Sequence, residues 1–221
     1  MAEEKERSTP KSRIETLSDL IFGLALSIGA ITLIGQQPTN AIQVFVAVGQ
    51  YGFSFLILVN VWRAYSNIMS ALPVETGALI NLNVFLLFLV SIEPYLYYQI
   101  LVFTNENWNE VSMLFALDLG LMYLILAFFF HNLANEEKKL VPKDTIWKFK
   151  VSRNVALLAC VVLFISMAPV FYSTNAFSFP AEGGVIRTMP VRGVLWILIL
   201  LVSFLRYPLE KLSSHKRRPI P

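Results

Sequence analysis

From Leu20 to Trp62 the chain carries not one Asp, Glu, Lys or Arg. A helix crossing the hydrocarbon core of a bilayer needs about 20 mostly apolar residues, so this run is twice too long for one crossing. The segment QQPTN, Gln36 to Asn40, breaks it in the middle. Proline and amide residues stop a helix and satisfy a turn, which predicts two helices and a tight connection. Further apolar stretches run from about Ala78 to Val102, Val111 to His131, Asn154 to Tyr172 and Val191 to Tyr207. The pattern predicts an all-α membrane protein with six spans, at about 17–35, 41–62, 78–102, 111–132, 153–172 and 191–207. They form one transmembrane domain over 13–207, between an amino-terminal tail (1–12) and a basic tail (208–221).

Composition agrees with the pattern. Of the 221 residues 56% are hydrophobic and only 15% charged, whereas a soluble domain carries about 25% charged residues. An ordinary soluble enzyme and a disordered chain are both excluded. The single cysteine, Cys160, rules out an internal disulfide framework and a multi-cysteine metal site. The two histidines, His131 and His215, stand far apart and outside any HExxH-like spacing, so no resident metal or cofactor is expected. The first apolar segment lacks a small-residue cleavage site and reads as a span, not a signal peptide.

Charge sets the expected orientation. Assigning alternate loops to one side collects sixteen of the eighteen Lys and Arg there, leaving only Arg187 and Arg192 opposite. Positive residues mark the cytoplasmic side, so both termini are expected in the cytoplasm, as an even number of spans requires. The tail HKRRP, beside a final span, reads as a topology signal with weak attraction to anionic lipid, not as a nucleic-acid site.

The first helix carries the most information. Arg13, Ser18 and Asp19 form R-x-x-x-L-S-D at its entrance. A carboxylate there is costly and normally has a partner. Arg13 and Asp19 stand about 240° apart on a helix of 3.6 residues per turn, so they do not pair on one helix. The plainest reading is an interfacial cap, with Ser18 or Asp19 starting the helix and Arg13 in the headgroups. Deeper in, Leu24, Ile28 and Ile31 form a narrow aliphatic stripe, with Ser27 at its flank and Gly35 continuing it. Gly23, Ala25, Gly29, Ala30 and Thr32 around it let neighbouring backbones approach. Taken alone, such a stripe is a ridge facing lipid or core.

The R-x-x-x-L-S-D start, with Phe22 and Ala25 behind it, resembles the R-x-x-x-F-S-D signature of the transmembrane protein 175 family. These are potassium channels of endosomes and lysosomes, together with prokaryotic relatives. Trp62 lies in FSFLILVNVWRAYSNI at the predicted end of the second helix. The third reads INLNVFLLFLVSIEPY, similar to the family's L-N-x-x-x-L-L-F followed by Pro-Phe. The resemblance spans Arg13 to Tyr95; the last three helices match only in number and hydropathy. Leu17 stands where the family has Phe, Leu20 where it usually has Gly, Tyr95 in place of Phe, and Tyr65–Ser66 where many members carry His. The missing histidines put a pH response at that position in doubt.

The resemblance implies a passive potassium pathway without a carbonyl filter. The sequence indeed holds no TVGYG-like loop and no array of arginines at every third position. First helices from all subunits would line a central pore. Leu24, Ile28 and Ile31 match the constricting positions, and Ser27 matches a hydroxyl-bearing one. Arg13, Ser18, Asp19, Trp62 and Asn83 would form a polar network holding the pore helix against the next two. One six-helix unit per chain implies a homotetramer in lipid, in a prokaryotic plasma membrane, with potassium the permeating ion and modest preference over sodium.

Other polar positions have structural readings. Glu93 and Asp118 are expected to be neutralised by Arg187 or Arg192; a cation-concentrating vestibule is the functional alternative. Asn81 and Asn83 read as interhelical glue, Pro169 as a kink in the fifth helix, and Cys160 and His131 as packing or interface residues. No nucleophile–base set is present for a membrane enzyme. A secondary transporter would show paired repeats and broken helices, which this chain lacks; a non-conducting membrane scaffold is the remaining alternative.

Overall fold

The computed structural model describes residues 10–35, 40–72, 77–102, 108–180 and 186–215. Four long helices come first: α1 (Pro10–Gly35), α2 (Ala41–Met69), α3 (Gly77–Val102) and α4 (Trp108–Ala134). A single 3₁₀ turn, Glu136–Lys138, leads into α5 (Lys143–Ser166). A short α6 (Pro169–Ser173), an antiparallel hairpin of β1 (Asn175–Pro180) and β2 (Ile186–Pro190), and α7 (Val191–His215) complete the order. The hairpin is a departure from the expected all-α chain. The predicted connection Gln36–Thr39, most of the amino-terminal tail and the basic tail beyond His215 lie outside the described residues.

Among the described residues, five helices are long and apolar enough to cross a bilayer: Arg13–Ile34, Ala41–Met69, Gly77–Leu101, Trp108–Ala134 and Thr145–Ser166. The apolar part of α7, Val191–Phe204, is shorter. Several boundaries differ from the hydropathy pattern for one physical reason, that backbone hydrogen bonding continues past the hydrocarbon edge where water and headgroups solvate the side chains. So α2 runs on through Arg63 to Met69 instead of stopping at Trp62, and α5 begins at Lys143, ten residues before its apolar stretch. Asn40 is the N-cap of α2; its Oδ1 accepts from the Gln43 amide at 2.9 Å, the role a short amide side chain fills best.

The core is built around α4, whose buried positions include Phe115, Leu119, Met122, Leu126, Phe129 and Leu133. It packs chiefly on α5 and α3. The approach to α5 is close at Gly120, where a Cβ would stand 2.6 Å from Phe164 Cε1. Helices without a hydrophobic force between them gain most from such small-residue contact.

The fifth span ends differently from the pattern. Pro169 does not kink a continuous helix: α5 stops at Ser166, and Pro169 opens α6 at its first turn, where its missing N–H costs nothing. The carbonyls left at the end of α5 are gathered by Arg192, which is fully buried. Its Nε donates to Ser166 O at 2.8 Å, and its Nη2 to Met167 O at 3.2 Å and Ala168 O at 3.5 Å. Its Nη1 reaches across to α4, to Asn109 O at 3.2 Å, Asn109 Oδ1 at 3.0 Å and the Ser112 hydroxyl. The guanidinium thus ties the beginnings of α4 and α7 to the end of α5, where the helix dipole favours a cation. The expected pairing of Arg192 with Glu93 or Asp118 does not occur; its partners are peptide carbonyls and neutral side chains. The side chain of Arg187 is not among those described.

Candidate functional site: the outward face of the first helix

α1 packs against α3 and α2 through one face only. Ser18, Phe22, Ala25 and Gly29 turn inward and are buried. The opposite face is bare: Leu20 is 68% exposed, Leu24 57%, Ile31 61% and Ile34 80%. The three positions singled out in the sequence, Leu24, Ile28 and Ile31, lie on this face, with Ile28 at its edge beside a groove of about 290 Å³ between α1 and α3. The groove is also lined by Leu17, Ile21, Val84 and Phe88. Leu20 and Ile34 lengthen the stripe at its two ends. Leu20, Leu24, Ile31 and Ile34 recur at helical spacing, so the longer stripe is legible in the sequence as well.

Ser27 sits on the same side, exposed, and donates its proton to Gly23 O at 2.8 Å. With that proton committed to the helix's own backbone, the hydroxyl oxygen keeps its lone pairs for an acceptor role. Thr32, which donates to Gly29 O at 2.7 Å, is half-buried.

The polar residues at the start of α1 assemble in part as expected. Trp62 Nε1 donates to Asp19 Oδ1 at 3.0 Å, joining α2 to α1. Ser18 and Asn83 are both buried, and the Tyr65 hydroxyl bonds the first of them. The Ser18 hydroxyl donates to Ile14 O at 2.7 Å, so across the 2.6 Å contact the Tyr65 hydroxyl donates to Ser18 Oγ. These bonds run from Tyr65 to Ser18 to the Ile14 carbonyl and join α2 to α1. Asn83 Oδ1 is buried without a hydrogen-bond partner among the described residues. Arg13 stands apart: it is exposed and makes no ion pair with Asp19. Tyr65 occupies one of the two positions where the family often has histidine, and the hydroxyl that bonds Ser18 was not anticipated. Removing it by Tyr65→Phe takes the donor from buried Ser18 Oγ and is expected to cost about 1 kcal/mol of stability, read as a lower melting temperature in detergent.

The remaining predicted polar residues lie away from this face. Glu93 is wholly buried in α3 and accepts from Ser54 Oγ of α2 at 3.0 and 3.2 Å. Asp118 is 3% exposed, and neither of its oxygens has a hydrogen-bond partner among the described residues. Burial on this scale removes both from any open vestibule. Asn81 is exposed, unlike buried Asn83. His131 is exposed at the end of α4, and Cys160 is buried in the core.

Residues 13–94, which hold all but the first three residues of α1, the polar contacts at its start and every residue lining the groove, match the model of a family described as endosomal/lysosomal potassium channel TMEM175. Over this segment, less than half of the chain, the sequence is similar to that family. No curated protein matches it by sequence. Two solved structures extend the TMEM175 likeness beyond the matched segment. The first is the crystal structure of a lysosomal potassium-selective channel TMEM175 homologue from Chamaesiphon minutus. It aligns with a TM-score of 0.58 at 15% identity, over 89% of this chain and 97% of that one. The second is that of the potassium channel MtTMEM175, solved as a variant in complex with a nanobody–MBP fusion. It gives 0.55 at 16% identity, over 95% and 94%. At such identities the likeness is one of fold, and it takes in the last three helices, where the sequence motifs are silent. The matched proteins are ion channels, not enzymes.

Proposed function

We propose that this protein is a potassium channel in which copies of α1 surround a central pore, each turning Leu24, Ile28 and Ile31 toward the axis. The carrying observation is a coincidence on one helix. The stripe that α1 leaves unpacked is the stripe that the sequence resemblance implies to be constricting. A ring of aliphatic side chains at close radius offers no ligand to a hydrated cation, so it gates by excluding water and raising the cost of dehydration. Potassium sheds water more readily than sodium, which gives a modest preference without a carbonyl filter. Ser27, its lone pairs outward, replaces part of the hydration shell in the wider layer. The Tyr65–Ser18 and Trp62–Asp19 bonds, with Asn83 buried behind them, hold the pore helix and do not touch the ion. In this reading the apolar part of α7 is the sixth crossing, both termini face the cytoplasm, and four chains assemble about the axis.

Two measurements test the reading together. The particle mass in detergent should correspond to four chains, and liposomes holding the protein should pass potassium down its gradient without a coupling ion. A monomeric particle defeats the shared pore. Strict dependence of flux on a proton or sodium gradient assigns the protein to transporters instead.

A further inference from the structure

The outward face of α5 changes character along its length. Leu158, Val161 and Ile165, toward its end, are 56%, 50% and 52% exposed and face the lipid tails. One to four turns earlier the same face carries Asn154, Lys150, Trp147 and Lys143, spaced by four, three and four, with Arg153 at its flank. From Asn154 to the helix end at Ser166 the rise is about 20 Å, whereas the hydrocarbon core is about 30 Å thick. Crossing therefore draws the preceding two turns to the membrane boundary. Counting about 20 residues back from Ser166 places Trp147 at the interface, the depth an indole prefers. Lys150 and Arg153 then start about 5 and 9 Å inside that boundary, and their side chains, tilted toward the helix N-terminus, carry their charges back toward the lipid phosphates.

The local charge fits an anion. Between residues 136 and 153 there are six basic and three acidic side chains. Glu136 of the 3₁₀ turn pairs with Lys150 at 2.7 Å, and that lysine holds the Glu136 carboxyl below its ordinary range. Arg153 turns its Nε and Nη2 to Asn154 Oδ1 at 3.2 and 3.0 Å, leaving further N–H groups for an outside acceptor. Lys143, Lys150 and Arg153 thus present cations beside an aromatic ring, at the top of an aliphatic stripe long enough for an acyl chain.

We propose that this face of α5 seats an anionic phospholipid, its phosphate and headgroup between Lys143, Lys150 and Arg153 and its chains along Leu158, Val161 and Ile165. The inference needs the protein to sit in a membrane but not to conduct, and its readout is independent of ion flux. The purified protein is equilibrated with phosphatidylglycerol and phosphatidylcholine, and retained lipid is counted by native mass spectrometry. The parent should retain phosphatidylglycerol in preference. Arg153→Gln should lower that retention several-fold, while Lys148→Gln, an equal charge change off this face, leaves it within about twofold. Glu136→Gln, which releases Lys150, should raise it. Raising the salt to about 1 M, where the screening length falls to about 3 Å, should remove the preference even if a variant folds poorly. Equal retention of the two lipids by the parent overturns the proposal. So does an equal loss in Arg153→Gln and Lys148→Gln, which marks general charge instead of a seat. Displacement of the lipid by soluble glycerol phosphate would reassign the site to a free phosphate.

Discussion

Replacing Arg192 by alanine is expected to lower the melting temperature of the purified protein by roughly 10 °C, the largest stability effect of any single substitution considered. The guanidinium is wholly buried and accounts for the Ser166, Met167 and Ala168 carbonyls at the end of α5, together with Asn109 and Ser112 of α4. Alanine removes all these donors at once and leaves acceptors unpaired in a water-poor interior. Each such acceptor costs about 1–3 kcal/mol, and several are stranded together. In a chain of this size about 2–4 °C accompany each kcal/mol. Arg192→Lys should recover part of the loss, because the charge still meets the α5 dipole but the planar fork cannot reach both helices. An alanine variant melting within about 2 °C of the parent would refute this account of how α4, α5 and α7 are joined.

That role was hidden from the sequence for a physical reason. A lone arginine in an apolar stretch suggests a carboxylate partner, and Glu93 and Asp118 were the carboxylates on offer. Its actual partners are mostly peptide carbonyls, which every residue carries and no sequence marks. Pro169 did signal an irregularity, but not that the helix stops three residues earlier and hands its carbonyls to another helix. The Ser54–Glu93 and Tyr65–Ser18 bonds join positions 39 and 47 residues apart, a separation on which helical periodicity is silent. Where one helix sufficed, the sequence was informative. The aliphatic stripe of α1 follows from 3.6-residue spacing alone, and its bareness in the structure follows from the inward turn of Ser18, Phe22, Ala25 and Gly29. Hydropathy located the long apolar helices but not the ends of α2 and α5, because long basic side chains let a helix continue through the interface.

For the pore, the expected result is a several-fold rise in potassium flux in Leu24→Ala and a larger rise when Ile28→Ala is added, with weaker discrimination against sodium. Each Leu→Ala change removes three carbons per chain, and in a symmetric assembly the loss is repeated by every copy around one ring. A wider ring admits more water, and the dehydration penalty that both closes the pathway and favours potassium falls with it. Stability should change little, because Leu24 is 57% exposed and adds little to packing within one chain. That separation gives the experiment its force. On a lipid-facing ridge the same substitutions would leave both melting and flux near those of the parent. A gap in intersubunit packing would loosen the assembly before altering permeation. Only a residue on the ion path changes flux in a particle of unchanged mass and melting temperature. Ser27→Ala should then leave the flux open but reduce the preference for potassium, since it deletes the outward lone pairs and no aliphatic bulk. Parent-like flux in Leu24→Ala and Ile28→Ala, in particles of the parent's mass, would remove α1 from the pore.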